Sequence, residues 1–201
     1  REHSRAMLRG DEVWCQLFSE PGAGSDLAAV QTRARREGDE FVLNGQKVWT
    51  TNAQFSSYGL LLARTDPDKH KHKGLTMFIV PMDAEGVTVR GLRQISGEAE
   101  FNEVFFDDVR VPAENVVGGI DNGWMTALTV LMYERVTIGL GSEGYGYRSD
   151  RFARALASSP EARKDKEVRK RLGQLSAELL AVRFTGYRTL TALERGQVPG
   201  P

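Results

Sequence analysis

The sequence has little cysteine and no long apolar run, and each shortage excludes a class of protein. Cys15 is the single cysteine in 201 residues, so no disulfide can form within the chain. One thiol suits a reducing compartment, and we expect the cytoplasm, or the mitochondrial matrix in a eukaryote. No apolar stretch reaches the roughly 18 to 20 residues that a helix needs to span a bilayer, so no membrane span is expected.

An excess of charge of either sign is also missing. The chain has 27 basic and 27 acidic residues, which gives a formal net charge of zero. Nothing in this balance favours nucleic acid or an anionic membrane surface as a partner. The basic runs at Arg33–Arg36 and Lys69–Lys73 are most simply solvated side chains at a strand end and a loop tip, and no metal site is expected.

One loop carries more chemistry than an ordinary turn requires. The apolar segment 13–17 is typical of a strand, and the run Phe18–Asp26 (FSEPGAGSD) leaves it through a glycine-bearing loop. Its two glycines let successive backbone N–H groups point into one concavity, where the Ser25 hydroxyl would add a donor for phosphate oxygens. The run lacks both the Lys-Ser/Thr of a P-loop and the GxGxxG of a dinucleotide-binding helix. A plain turn between strands therefore remains the alternative.

Short alternating runs dominate the chain up to Pro112. Seven or so strands at short spacing, separated by glycine, Asp-Pro and Asn-Gly signals, predict an antiparallel barrel or sandwich. Asn44–Gly45 is the strongest of these signals, and it predicts a two-residue hairpin turn. The predicted strands are residues 13–17, 29–34, 40–43, 48–51, 60–64, 75–80, 87–89 and 104–111.

The apolar period changes to three and four residues after Pro112. It predicts one helix from about Asn122 to Ile138 and one long amphipathic helix over residues 160–195, with Pro160 near its first turn. A helix tail ending at Gly10 is also expected. The glycines that follow the first helix favour close packing against another helix or a ligand; they are Gly139, Gly141, Gly144 and Gly146. The predicted fold class is α+β and multidomain, a β-barrel or sandwich followed by part of a helical bundle.

Two motifs in this order resemble the acyl-CoA dehydrogenase family. They are EPGAGSD at Glu20–Asp26 and NGQKVWTTN at Asn44–Asn52, and the likeness continues through residues 105–112 and Glu134–Arg135. It covers about residues 11 to 145 well and the rest loosely. It implies the tail of an N-terminal helical domain at residues 1–10, the middle β-domain at 11–118 and the first part of the C-terminal helical domain at 119–201. The boundary then falls near Gly118–Gly119, and the chain is expected to be a piece of a longer protein.

The resemblance implies FAD and the desaturation of an acyl-CoA thioester. In the family, a carboxylate removes the α-proton while the β-hydrogen leaves as hydride to N5 of the flavin. Such a proton is weakly acidic, so fixed donors must stabilise the charge that develops on the thioester oxygen. The base must also lie in a dry pocket, where desolvation raises its pKa towards the working range.

The family motif assigns candidate site residues position by position. Phe18 and Ser19 match residues beside the isoalloxazine ring, and Ser25 matches the serine near the phosphates. Trp49 and Thr51 match residues that cover the flavin and bond near N5. The full set of candidate flavin contacts is Gln16, Phe18, Ser19, Gly24, Ser25, Trp49, Thr50 and Thr51, where Gln16 stands in place of an aromatic residue common in relatives. The competing interpretation makes Trp49 part of the sheet core and Thr51 a strand hydroxyl that is bonded to backbone.

Glu134 is the candidate catalytic base. Family members carry this glutamate either on the helix after the β-domain, just before an arginine, or much later in the chain. Glu134 precedes Arg135 and occupies the first place, while the second would lie beyond Pro201. The alternative is an ordinary helix carboxylate in an ion pair. By the same match the candidate substrate contacts are Ser25, Met132, Tyr133 and Arg135, and the segment 93–102 departs from the family pattern.

The family also implies partners, and rival functions remain open. The expected partners are an acyl-CoA substrate, an electron-transferring flavoprotein as electron acceptor, and further copies of the chain in a homodimer or homotetramer. The rivals are a flavin oxidase or monooxygenase of the same fold, and a catalytically silent subunit of a heteromer.

Overall fold

The computed structural model of the protein describes residues 2–139, 151 and 154–197. The chain divides into two compact units, Arg1–Leu128 and Thr129–Pro201. The first unit holds a helix and a sheet, and the second is helical. Among the described residues, no helix combines the length and the apolar character that a membrane crossing needs. The predicted boundary near Gly118–Gly119 stays a prediction.

The first unit is built on one mixed sheet. Eight strands form it: β1 (Trp14–Leu17), β2 (Arg33–Glu37), β3 (Glu40–Thr51), β4 (Tyr58–Arg64), β5 (Leu75–Pro81), β6 (Val87–Leu92), β7 (Phe101–Pro112) and β8 (Val116–Val117). The path of hydrogen-bonded neighbours is β6-β7-β3-β2-β4-β5-β8, and β1 pairs with β4 off this path. Most pairs are antiparallel, whereas β1 and β2 each run parallel to β4. The predicted α+β class is confirmed, although the sheet is mixed rather than wholly antiparallel.

Strand β3 is buried on both faces at its start, because Phe41, Val42 and Leu43 are consecutive buried residues. Phe41 and Leu43 lie two residues apart, so they point to the same face, and both belong to the main core cluster. Phe41 meets Phe78 of β5 edge to face, with ring centroids 5.0 Å apart. Cys15 also belongs to this core, and burial raises the pKa of its thiol to about 11. The thiol is therefore a core side chain and not a reactive nucleophile.

The predicted hairpin turn at Asn44–Gly45 is wrong. Strand β3 runs straight through it, and the turn lies earlier, at Gly38–Asp39 between β2 and β3. Strand β7 carries one extra residue opposite Asn44, where the two strands shift register. The Asn44 amide donates to the Asp108 carboxylate at 2.9 Å and accepts from the Asp108 N–H at 3.1 Å. The amide is thus used to bridge a β-bulge, which is why no turn forms here.

The predicted strand over residues 29–34 is also displaced. A short 3-10 helix covers Leu27–Ala29, and β2 begins only at Arg33. The three arginines of the run 33–36 are exposed while Ala34 between them is buried, in keeping with solvated strand residues.

Helices account for much of the remaining described chain, including residues 154–158. Helix α1 (Glu2–Arg9) is the predicted tail and ends at Gly10, which has a left-handed φ of 77°. Helix α2 is Gly123–Gly139, in agreement with the prediction. The single long helix predicted over 160–195 is wrong, because α3 (Pro160–Lys164) and α4 (Lys166–Glu194) replace it. Pro160 does lie in a first turn, that of α3, and the three glycines at 141, 144 and 146 lie outside the described residues.

Asp165 separates α3 from α4. Its backbone is extended, with φ −73° and ψ 118°, and its carboxylate accepts from the N–H groups of Glu167 and Val168. A side chain that caps the next helix in this way ends the helical path before it.

Candidate functional site

The loop after β1 is a tight turn with an exposed outer side. Glu20 and Ala23 exchange backbone hydrogen bonds of 2.9 and 3.1 Å across it. Gly24 and Ser25 follow this turn and are exposed, so their backbone N–H groups can be approached from solvent. Asp26 closes the motif and accepts two bonds from the Lys71 ammonium, the shorter of 2.8 Å.

A buried ion pair joins this loop to β3. The Lys47 side chain is 0% exposed and the Glu20 side chain 6% exposed. The Lys47 ammonium donates to Glu20 Oε1 at 2.7 Å and to the carbonyl of Phe18 at 2.9 Å. Glu20 also accepts the backbone N–H groups of Gln31 at 2.6 Å and Thr32 at 2.9 Å. Three separate segments of chain therefore meet on one carboxylate.

The surroundings move both pKa values of this pair. Burial raises the pKa of the Glu20 carboxyl, but the Lys47 charge and the bonds from Gln31, Lys47 and Thr32 outweigh burial and hold that pKa below its ordinary value. Burial lowers the pKa of Lys47 to about 8, and Glu20 opposes this change. Both groups are consequently charged at neutral pH, and each depends on the other to remain so.

The two family motifs lie side by side. The N–H of Val48 donates to the carbonyl of Ser19 at 2.9 Å, one residue after the Lys47 contact with Phe18. Strand β3 has one residue more than β7 between the pairs Lys47–Val104 and Thr50–Asn102, which is a β-bulge. The loop and the strand thus share a surface.

Trp49 lies on this bulge in an unusual backbone conformation. Its φ of 59° is left-handed, and its residue surface is 63% exposed. Its ring makes an edge contact with Phe101, with centroids 6.2 Å apart. The core interpretation of Trp49 is therefore wrong. A large aromatic residue held out of the core at a strained position is the pattern that binding sites show.

The residues after Trp49 alternate in burial. Thr50 is buried, and its hydroxyl has no hydrogen-bond partner within the part of the chain that the structure describes. Thr51 is exposed, and Asn52 after it is again left-handed, with φ 57°. Asn102 lies opposite Thr50 in β7 and donates to its carbonyl at 3.0 Å.

The structure brings some candidate flavin contacts together and leaves others apart. The carbonyls of Phe18 and Ser19 accept hydrogen bonds from the Lys47 side chain and the Val48 N–H, directly before Trp49. Gln16 is half-buried on β1, opposite Leu60 of β4. These placements are geometric, and the assignment of each residue to a cofactor stays a prediction.

The candidate base and every candidate substrate residue except Ser25 lie on the part of α2 that belongs to the second unit. Met132 is half-buried, while Tyr133, Glu134 and Arg135 are exposed within the described structure. Their roles likewise stay predictions. In the described ranges, no group of His, Cys, Asp and Glu could hold a metal ion, and the two histidines at 70 and 72 stack on each other.

Lys47 and Glu20 were not among the candidate residues. A signal was available, because each belongs to one of the two quoted motifs, and Lys47 lies two and four residues along β3 from Gly45 and Leu43. The even spacing from Leu43, which is buried, puts the lysine on the same face of β3 as Leu43. A lysine in such a place requires an anion, and Glu20 is one of the two acidic residues of the other motif.

Two family models match the chain. One describes the middle domain of acyl-CoA dehydrogenase and matches residues 15–109, and the other describes the C-terminal domain of acyl-CoA dehydrogenase and matches residues 121–201. The chain therefore belongs to the acyl-CoA dehydrogenase family.

Individual relatives agree with this assignment. Acyl-CoA dehydrogenase FadE34 of Mycobacterium tuberculosis is 53% identical over 137 residues, which are 68% of this chain and 19% of that protein. Acyl-CoA dehydrogenase IpdE1 of the same organism is 45% identical over 179 residues, 89% of this chain and 46% of that protein. The solved structure of the Tcur3481-Tcur3483 steroid ACAD matches with a TM-score of 0.87 at 35% identity, over 98% of this chain and 51% of that one. The chain thus spans about half or less of the length of these relatives.

Proposed function

We propose that this chain belongs to an FAD-dependent acyl-CoA dehydrogenase, which removes the α-proton and the β-hydride of an acyl-CoA thioester. The family assignment supports this reaction class. The observation that carries the proposal is the junction of the two motifs, where Lys47 and Val48 bond to Phe18 and Ser19 next to an exposed Trp49.

The residues at this junction fit a flat aromatic cofactor. Trp49 offers an exposed indole on a bulge, and the backbone of Phe18–Ser19 lies alongside that strand. The exposed turn at Gly24–Ser25 offers N–H groups and a hydroxyl suited to phosphate oxygens. Phe18, Ser19, Trp49 and the neighbouring threonines would hold the ring. When bound, FAD supplies the acceptor for the hydride that leaves the substrate.

Glu134 is the proposed base. Its carboxylate would take the α-proton, and Met132, Tyr133, Arg135 and Ser25 would contact the acyl-CoA. A carboxylate does this work only when it is desolvated, because water holds its pKa near 4. Glu134 is exposed in the described part of its own unit. We expect the walls that dry its surroundings to come from parts of the whole protein that this chain does not span.

The test uses the protein made from its complete coding sequence and loaded with FAD. Anaerobic addition of acyl-CoA should bleach the flavin absorbance, and electron-transferring flavoprotein should restore it faster than air. Glu134→Gln should slow bleaching by at least about a hundredfold, the usual contribution of a positioned base, without weakening FAD binding. The matched control is Glu178→Gln, an exposed carboxylate on α4, which should bleach at the unaltered rate. Normal bleaching by Glu134→Gln would place the base elsewhere.

The rival functions give different outcomes in the same experiment. Fast reoxidation by air would indicate an oxidase or monooxygenase, and an FAD-loaded protein that acyl-CoA never bleaches would indicate a silent subunit. The second rival has support of its own, because the similar Tcur3481-Tcur3483 structure joins two named proteins. Co-purification of a second, related chain would distinguish a heteromer from the homodimer or homotetramer.

We further propose a ring-bearing acyl group as the substrate class, since that similar structure is described as a steroid ACAD. The comparison is between a steroid side-chain CoA thioester and a straight-chain CoA thioester of equal chain length. A higher kcat/KM for the steroid thioester supports the proposal, and an equal or lower value contradicts it.

A further inference from the structure

We propose that the Glu20–Lys47 ion pair is a positioning clamp, which fixes the backbone of Phe18–Ser19 against the bulge that carries Trp49. The proposal rests on the proposed function in one respect, namely that this backbone and Trp49 form the flavin surface. It assigns a role to two residues that the family motif leaves without one in the site described above.

The Lys47 ammonium has two acceptors, and one of them is a backbone carbonyl. Lys47 could satisfy its charge on Glu20 alone, but its ammonium also donates to the Phe18 carbonyl at 2.9 Å. That bond fixes the orientation of the peptide plane between Phe18 and Ser19. All peptides in the described chain are trans, so the Ser19 N–H points opposite to this carbonyl and away from Lys47. The buried ammonium therefore sets the direction in which a backbone donor faces.

The clamp lies directly before the bulge along β3. Lys47 is the last residue in regular register with β7 before the bulge, and Val48, the next residue, bonds to Ser19. Trp49 follows with its left-handed φ of 59°. A strained residue keeps its conformation only when its neighbours hold it there. Lys47 and Val48 supply that restraint on the N-terminal side.

The Glu20 carboxylate is held from several directions. It accepts the N–H groups of Gln31 and Thr32 as well as the ammonium of Lys47. A buried ion pair is often no more stable than well-packed apolar side chains of the same volume. Its advantage is directional, because an ammonium and a carboxylate specify which atoms meet and an apolar pair does not. The clamp is therefore a device for geometry more than for stability.

The experiment compares Glu20→Gln/Lys47→Met with the unaltered protein, again made from its complete coding sequence. The double variant removes both charges and keeps similar volumes, so no buried charge is left unpaired. Amide hydrogen exchange should accelerate at least tenfold at residues 18–20 and 48–50, and remain unchanged in β5. FAD should bind at least tenfold more weakly, with an altered visible circular dichroism of the bound flavin. The control is Lys69→Met, which removes an exposed lysine paired with Asp121 and should change none of these readouts.

Each outcome has a defined meaning. Unchanged exchange at both segments overturns the clamp, whether or not the protein binds FAD. Faster exchange with unaltered FAD affinity and dichroism also overturns it, because the held backbone would then not form the flavin surface. If the unaltered protein binds no FAD, the proposed function fails, and the exchange measurement still tests the restraint alone. Should the double variant not fold, Glu20→Asp is measured against the same expectations, with a smaller change in exchange, because it keeps both charges and only draws the carboxylate back by one methylene.

Discussion

Substitution of Trp49 by alanine and by glycine separates two contributions that this residue makes to stability. The first is the burial of its ring, which is limited because the residue is 63% exposed. The second is the strain of a left-handed backbone, with φ of 59°. Both variants lose the ring, whereas only glycine relieves the strain.

The magnitudes follow from these two observations. An aromatic ring covers about 150–250 Å² when fully buried, and roughly a third of that area at about 25 cal/mol per Å² is about 1–2 kcal/mol. Both variants should lose this contribution to the free energy of unfolding. The left-handed conformation costs an alanine roughly 1–2 kcal/mol, and the greater unfolded-state freedom of glycine offsets about 0.5–1 kcal/mol of the relief. Trp49→Gly should therefore be more stable than Trp49→Ala by about 0.5–1 kcal/mol.

Urea unfolding at one pH measures the free energy of unfolding of each Trp49 variant. The control pair is Thr88→Ala and Thr88→Gly, at an exposed residue of β6 that has no positive φ. There the order should reverse, with alanine the more stable by about 0.5–1 kcal/mol. A result in which Trp49→Ala equals or exceeds Trp49→Gly would refute the strained conformation, and with it the argument that the bulge must be held in place.

Two further predictions concern the junction itself. The pKa of Glu20 is lowered on folding, so its stabilising contribution is complete above the unfolded value of 4.5 and is lost as the pH falls through the lower folded value. Urea unfolding across this range should show a weaker pH dependence for Glu20→Gln than for the exposed control Glu85→Gln, and equal slopes would contradict the pKa shift. Gly45→Ala should destabilise by about 2–4 kcal/mol, because an added Cβ lies 2.7 Å from Thr32 Cα at a φ of 150°. Thermal unfolding checks this against Gly22→Ala, where the Cβ meets nothing within 4 Å and little change is expected.

Local patterns predicted most of the strands because short apolar runs mark buried segments of the sheet. The run Phe41–Leu43 is one of them, and the structure buries all three of its residues in β3. The Asn44–Gly45 signal failed for a reason outside the segment. Its amide bonds to Asp108, which is 64 residues away, and a local turn rule contains no information about that partner.

The prediction of one continuous helix failed at Asp165, although the cause is a residue within the segment itself. Leucines continue at helical spacing on both sides of it, so the apolar period alone predicts one long helix. A single aspartate with an extended backbone interrupts the path and caps α4 through two N–H groups. The aspartate is visible in the sequence. The apolar period does not show, however, whether it caps a new helix or lies within a continuous one.

Residue type alone gives no reason to place Lys47 in the core, because a lysine in a strand is normally a residue of the exposed face. What buries it is a set of acceptors supplied from 27 and 29 residues away, at Glu20 and at the carbonyl of Phe18. Without the lysine, the buried Glu20 carboxylate would keep only the neutral N–H donors of Gln31 and Thr32, and an uncompensated buried charge is strongly penalised. The glycine-bearing loop and the strand that contains Trp49 are therefore one structural unit, although they are two motifs in the sequence. It follows that a substitution at Lys47 should alter the loop as much as the strand, and measurements on either motif should report on both.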